Sequence, residues 1–290
     1  MGRGFCFSSR LASRAVPRDK AFVKQFLLLS AGWLLGLSAA LAQSPAPAPL
    51  WRAHAHNDYL HARPLADALA HGFRSVEADI WLTNGALLVA HDFRDASPER
   101  TLQKLYLDPL RAFVRTQAAE GGGRTFTLLI DVKSGAEETY AVLREVLRGY
   151  ADMLTRFESN TIHTNALMVI ISGARAEATM RAEPVRFAAL DGREPDLEKN
   201  LSPALIPLVS DNWTKHFQWR GLGPMPEKER GKLRQLVTRT HAQGKRLRLW
   251  AAPDNEAGWK ELFEAGVDLL NTDRLADLEK FLRAQELKRP

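Results

Sequence analysis

The feature that most constrains this chain is an alternation of short apolar runs with amphipathic helical stretches, which continues from Leu50 to the C-terminus without an internal linker. That alternation is the pattern of a parallel sheet whose crossovers are helices. The expected strands are Leu50–His56, Ser75–Leu82, Phe126–Val132, Ala166–Ile171, Val185–Ala189, Ile206–Val209, Arg246–Ala251 and Val267–Asn271. The expected helices include Pro64–His71, Leu107–Gln117, Glu137–Tyr150, Ala174–Arg181, Lys228–Ala242, Asn255–Ala265 and Leu275–Leu287. Eight strands so spaced predict one α/β domain over 50–290, a (β/α)8 barrel of the TIM type. Asn84-Gly85 predicts a tight hairpin that carries the second strand back towards His91. The polar stretch from Met153 to Asn165 reads as a surface loop.

The N-terminus follows a different logic. Arg3, Arg10, Arg14, Arg18, Lys20 and Lys24 precede an apolar run from Phe26 to Ala42 that ends in Ala40-Leu41-Ala42. Basic, apolar and small residues in that order predict a secretory signal peptide over 1–42, with a Pro/Ala linker at 43–49. The protein is therefore expected to be exported, periplasmic or secreted; retention of the segment as a membrane anchor is the alternative. Removing the leader's six bases and one acid from the chain's 40 and 34 leaves a net charge of +1, against +6 for the whole chain. The basic balance thus resides in the leader, and no basic patch remains to suggest nucleic acid as a partner. The single cysteine, Cys6, also lies in the leader, so the barrel must be held by its core without disulfides.

Chemistry enters at the strand ends, where parallel barrels build their sites. In Val76-Glu77-Ala78-Asp79-Ile80 the apolar residues share one face and the two carboxylates the other, inward one. Buried carboxylates side by side repel unless a cation joins them. A hard divalent ion would do so; buried arginines would do so as well. The strand ending Asp131-Val132-Lys133 repeats the arrangement, with Asp131 as a third ligand and Lys133 as an anion-binding group or an ion-pair partner. His91 falls where the hairpin returns to the strand tops, and His54 and His56 lie two apart at the end of the first strand. Imidazoles beside carboxylates suit proton transfer near neutral pH. His61, His71, His163, His216 and His241 are expected in solvent, and Ser210 to Trp213 lie at a strand end, where they could line the pocket. Trp250 either lines the pocket or packs in the barrel mouth, and Asp273 reads as the N-cap of the last helix.

These motifs, namely "HAHNDY", "SVEADIWL", "LLVAHD", "LYLDPL" and "LRLWAAPDNEAGW…GVDLLNTDRL", resemble the glycerophosphodiester phosphodiesterase and phosphatidylinositol-phospholipase-C-like superfamily, specifically its altered-inheritance-of-mitochondria subgroup. The resemblance spans nearly all of Leu50 to Leu282. It implies a metal-dependent phosphodiester hydrolase in which Glu77, Asp79 and Asp131 bind Ca²⁺ or Mg²⁺ and His56 and His91 are the general acid/base pair. His54, Asn57, Lys133 and Trp250 would contact a small-molecule or lipid phosphodiester, with peripheral membrane contact. Two departures stand out: Asn57-Asp58 follows His56 where the family has Arg-Gly, which removes its phosphate-clamping arginine, and Asp131 stands where Glu is commoner. Two other classes fit parts of the pattern. A zinc amidohydrolase also starts with His-x-His but needs further strand-end histidines, and an exported barrel could bind an anionic ligand without turnover.

Overall fold

The computed structural model describes residues 47–119 and 124–288. The leader expected over 1–42, Cys6 and most of the 43–49 linker lie outside the described residues.

Eight parallel strands form the barrel: β1 (Ala53–Ala55), β2 (Ser75–Thr83), β4 (Phe126–Val132), β5 (Leu167–Gly173), β6 (Ala189–Gly192), β7 (Leu208–Asn212), β8 (Arg246–Trp250) and β9 (Leu270–Thr272), with β3 (Ala86–Val89) paired antiparallel to β2. β9 returns beside β1, and a single bridge between Arg248 and Leu269 brings β8 to the other side of β9's start. The mostly parallel, nearly closed sheet is the expected TIM-like architecture. The helices between strands are α1 (Ala66–Ala70), α2 (Asp108–Ala119), α3 (Ala136–Arg148), α4 (Glu177–Ala182), α5 (Trp213–His216), α6 (Glu227–His241), α7 (Glu256–Ala265) and α8 (Leu275–Glu286). No helix among the described residues is long and apolar enough to cross a membrane.

Strand alternation divides the interior into two zones. Val76, Ala78 and Ile80 of β2, with Leu128, Ile130 and Val132 of β4, face the helices and join the main core with Leu143, Leu147, Leu278 and Leu282. Leu129, Ile170, Leu208 and Leu269 point the other way and form a small apolar plug inside the barrel. Each such fully buried side chain contributes about 1.5–3 kcal/mol relative to exposure. The plug floors the barrel, and polar residues of the same strands stand above it.

The β2–β3 turn is the expected hairpin, with Asn84 (φ 49) and Gly85 (φ 76) both left-handed as its mirror-image turn requires. Other expectations are corrected. The first strand is only Ala53–Ala55. The stretch expected as a loop from Met153 to Asn165 contains a hairpin, Arg156–Glu158 with Thr161–His163, turning at left-handed Ser159. The expected strand Val185–Ala189 splits, because Val185–Arg186 pairs with that hairpin while the barrel strand begins at Ala189. Phe157 anchors this small sheet by burying completely against Ala189 and Ala204.

Candidate active site

The parallel register of β2, β4 and β5 sets Asp79 beside Asp131 and Asp131 beside Ser172, one level above the apolar plug. Glu77 stands one inward position below Asp79. Ligand oxygens of Glu77, Asp79 and Asp131 all lie within 4.8 Å of one another. A cavity of about 200 Å³ opens over them, lined also by His56, Asn57, His91, Lys133, Ser172, Arg193, Arg248 and Trp250. The expected acid/base, ligand and anion-binding residues thus share one pocket, except His54.

His54 is corrected from a substrate contact to an internal support. It is completely buried, with Nδ1 2.7 Å from Ser75 Oγ and Nε2 3.4 Å from Glu77 Oε2. Burial and the nearby Arg248 charge push its pKa down to about 3, so the ring is neutral. A neutral ring accepts from Ser75 and donates to Glu77.

Each carboxylate has its own compensation. Glu77 accepts from Arg248, which is buried and also donates through Nε to Asn271 at 2.7 Å. Burial alone would raise the Glu77 pKa, but Arg248 and His54 outweigh it and hold the group well below the usual carboxylate range. Asp79 Oδ2 faces three donors: Tyr59 Oη at 2.7 Å, His91 Nδ1 at 3.0 Å and Lys133 Nζ at 3.1 Å. Its other oxygen, Oδ1, is buried without a hydrogen-bond partner. Burial, with Glu77 close by, raises the Asp79 pKa against the pull of Lys133. Asp131 is raised to about 6, mainly by burial and then by Asp79 and Glu77, with Lys133 opposing. Lys133 lies 3.4 Å from Asp131, and both aspartates hold its ammonium above its usual pKa in spite of burial. Both bland alternatives, buried arginine and strand-end ion pair, are therefore part of the site.

The carboxylates still fit a hard cation. Asp79 Oδ1 is an orphaned buried acceptor, the Asp131 carboxyl is raised by burial and by its carboxylate neighbours, and a divalent ion would relieve both. Local backbone protects this corner: Gly173 has φ +67, and a Cβ there would collide with Asp131 Oδ1 and Val132 O. Among the described residues this three-carboxylate group is the one that could hold a metal, and it contains no imidazole.

The histidines flank the cluster. His56 Nδ1 lies 2.9 Å from Asp273 Oδ1. Burial disfavours its charged form, but the hydrogen bond to Asp273 outweighs this and raises its pKa. Asp273 is therefore not the helix cap that its position suggests: Arg274 occupies the α8 N-cap without a side-chain cap bond. His91 is exposed at the rim, its Nδ1 turned to Asp79. His216, expected in solvent, packs largely buried against Asp211 Oδ2 at 3.2 Å, and His71 meets Glu279 at 2.6 Å. Trp213, expected near the pocket, is fully buried with Phe217 and Trp219 away from the lining.

Sequence reasoning missed Tyr59, Ser172, Arg193, Arg248 and the role of Asp273. Arg193 is fixed at the pocket wall by fully buried Asp191 at 2.8 Å and by Ser172 Oγ at 3.1 Å. Arg248 could have been found, since Arg246, Arg248 and Trp250 alternate with leucines as the carboxylates of β2 alternate with apolar residues.

The profile of the AIM6-like phosphodiesterase domain matches residues 47–121, and that of the glycerophosphoryl diester phosphodiesterase family matches 246–276. The altered inheritance of mitochondria protein 6 of Eremothecium gossypii is 30% identical over 275 residues, covering 80% of this chain and 69% of that protein. The protein of the same name from Lachancea thermotolerans is 28% identical, covering 78% and 64%, and the Arthroderma benhamiae homologue 27%, covering 76% and 80%. In fold, the chain is similar to a calcium-dependent phosphoinositol-specific phospholipase C from Pseudomonas sp., with TM-score 0.51, 14% identity and coverage of 80% and 93%. On the sequence relationship and the matching domain, this chain belongs to the altered inheritance of mitochondria protein 6 family.

Proposed function

We propose that this protein is an exported, metal-dependent phosphodiester hydrolase that uses His56 and His91 as a general acid/base pair. The observation that carries the reading is that two histidines, each with a carboxylate on Nδ1, flank one three-carboxylate cluster in a single pocket. A carboxylate on Nδ1 holds the proton there and leaves Nε2 for the substrate.

In the reaction, one histidine Nε2 takes the proton of the attacking hydroxyl, from water or from the substrate itself, as its oxygen bonds to phosphorus. The other gives a proton to the leaving oxygen as its bond to phosphorus breaks. Asp273 favours the imidazolium of His56 at the stage when that ring carries the extra proton. Glu77, Asp79 and Asp131 would hold Ca²⁺ or Mg²⁺, which when bound neutralises negative charge on the phosphoryl group. An all-carboxylate set suits these hard ions better than zinc, which disfavours the amidohydrolase reading. Arg248, Arg193 and Lys133 offer the positive charge that the missing His-Arg-Gly arginine would supply. Trp250 and Asn57 complete the wall, and the substrate is a small-molecule or lipid phosphodiester reached by peripheral membrane contact in the lipid case.

The ion pairs of Arg248 with Glu77 and of Lys133 with Asp79 and Asp131 favour a second reading, an exported anion-binding barrel without turnover. A panel of glycerophosphodiesters, lysophospholipids and a chromogenic diester, assayed with Ca²⁺, Mg²⁺ or chelator, separates the two. Chelator-sensitive hydrolysis lost in Glu77→Gln and His91→Ala supports the enzyme; binding of an anion with no hydrolysis of any diester supports the second reading.

A further inference from the structure

The two histidines follow different strands, yet one short segment links them. Asn57 follows His56 in the left-handed conformation (φ 47, ψ 34), which Asn tolerates better than most residues. That turn brings its side chain back alongside His56. Asn57 Nδ2 lies 3.3 Å from Asp273 Oδ1 and 2.9 Å from His56 Nδ1. Since the Asp273 carboxylate only accepts, the amide nitrogen must face it, which leaves Asn57 Oδ1 for the opposite side. There Tyr59 Oη approaches to 2.7 Å.

Tyr59 continues the path. Its hydroxyl is also 2.7 Å from Asp79 Oδ2 and 3.1 Å from His91 Nδ1. A phenol has one hydrogen and here faces two oxygen acceptors, so its rotation decides which it serves. The ring is held in place, 2% exposed, with its backbone carbonyl accepting from Arg100 Nη2 at 2.6 Å. With its Nδ1 proton given to Asp273, His56 cannot also accept from Asn57 Nδ2, so the hydrogen-bond chain runs from His56 to Asp273 and then through Asn57 and Tyr59 to Asp79 and His91.

We propose that Asn57 and Tyr59 are positioning residues that couple His56 to His91 through one shared hydrogen-bond path. The inference rests on the reading of these histidines as an acid/base pair. In diester cleavage one ring receives a proton while the other releases one, so both must hold their orientation together. Polar networks of this kind respond as units, and removal of one member is felt beyond its direct contacts. Tyr59 does not touch His56, so a response of His56 to loss of the Tyr59 hydroxyl that vanishes in an Asn57→Gly background travels through Asn57.

The test uses the mature protein with ¹⁵N-labelled histidine, read by NMR at one fixed pH, with Tyr59→Phe and Asn57→Gly. Tyr59→Phe keeps the buried ring and removes only the hydroxyl; Asn57→Gly keeps the left-handed backbone and removes the amide. The coupling predicts that Tyr59→Phe shifts the ring-nitrogen resonances of both His91 and His56. In an Asn57→Gly background it should shift those of His91 alone. For Tyr59→Phe on a hydrolysed diester, kcat should fall about 10–100-fold, as for loss of an outer hydrogen-bond partner, with KM within about twofold. A shift confined to His91 in the single variant overturns the coupling, as does an unchanged His56 effect after Asn57→Gly. If Tyr59→Phe does not fold, Asn57→Gly alone decides, because it must shift His91. Failure to hydrolyse any diester would sink the enzymatic reading, whereas the resonances report the coupling without substrate.

Discussion

Asp273 holds the Nδ1 side of His56 at 2.9 Å, although the two residues lie 217 positions apart. Pairing of β9 with β1, His54 beside Asn271 and Ala55 beside Thr272, produces the contact by closing the barrel. The contact thus depends on the completed fold.

Replacing Asp273 by Asn removes the negative charge that favours the proton on Nδ1 and the imidazolium form of His56. The variant should retain its fold, because the side chain is exposed on one side, and should lose up to about 10⁴ in kcat, as when the carboxylate that orients a catalytic histidine is made an amide. The pH profile gives the sign independently. Asp273 raises the His56 pKa above its ordinary 6.5, so the profile limb belonging to His56 should move to lower pH in the variant, whether His56 acts as acid or base. The stability this pair adds should be fully present below pH 6.5 and disappear as pH rises through the raised value. Steady-state kinetics and denaturation across pH check both statements.

Metal affinity should depend on pH through Asp131. Its pKa is lifted to about 6, and a proton on it competes with a cation. Calorimetric titration with Ca²⁺ or Mg²⁺ should show affinity that climbs as pH rises towards 6 and flattens above. Asp131→Asn should weaken binding and reduce that dependence, leaving the part due to the raised Asp79 carboxyl.

Arg248→Met should destabilise the protein most strongly in chelator. Glu77 would be left buried without its cation, a loss of about 3–5 kcal/mol for a broken buried pair. At roughly 2–4 °C per kcal/mol for a domain of this size, Tm should drop by about 6–20 °C. Ca²⁺ should raise Tm more in the variant than in the wild type, since the ion would take over part of the missing compensation.

Gly173→Ala tests the geometry of the cluster. The added methyl would sit against Asp131 Oδ1 and Val132 O in a backbone conformation that L-residues rarely adopt. Metal binding should fall well below that of the wild type in titration, with far-UV dichroism preserved. Unchanged affinity would show that Asp131 is not a ligand.

The barrel and half of the site were legible because period-2 alternation records which way a strand residue points. Glu77 and Asp79 stand out against Val76, Ala78 and Ile80, and the register to β4 then adds Asp131. The same logic was available for Arg248, whose leucine neighbours mark it as inward. Asp273 was not legible, because a residue just before a helix reads as a cap and only the β1–β9 pairing turns it to His56. Arg193 and Ser172 come together through Asp191 on adjoining strands, a contact with no local signature. The Arg156–His163 hairpin was missed because only Phe157 and Ile162 in that stretch are apolar, too few to show alternation.

The most direct measurement compares His56→Ala and His91→Ala on two phosphodiesters that differ only in leaving group, one an alkoxide and one a nitrophenolate. A nitrophenolate needs no protonation to leave. One variant, lacking the general acid, should therefore lose about 10²–10⁴ in rate on the alkyl diester and little on the nitrophenyl diester, while the other should lose comparably on both. Equal losses for both variants on both substrates, or full activity in either variant on the alkyl diester, would contradict the two-histidine hydrolase.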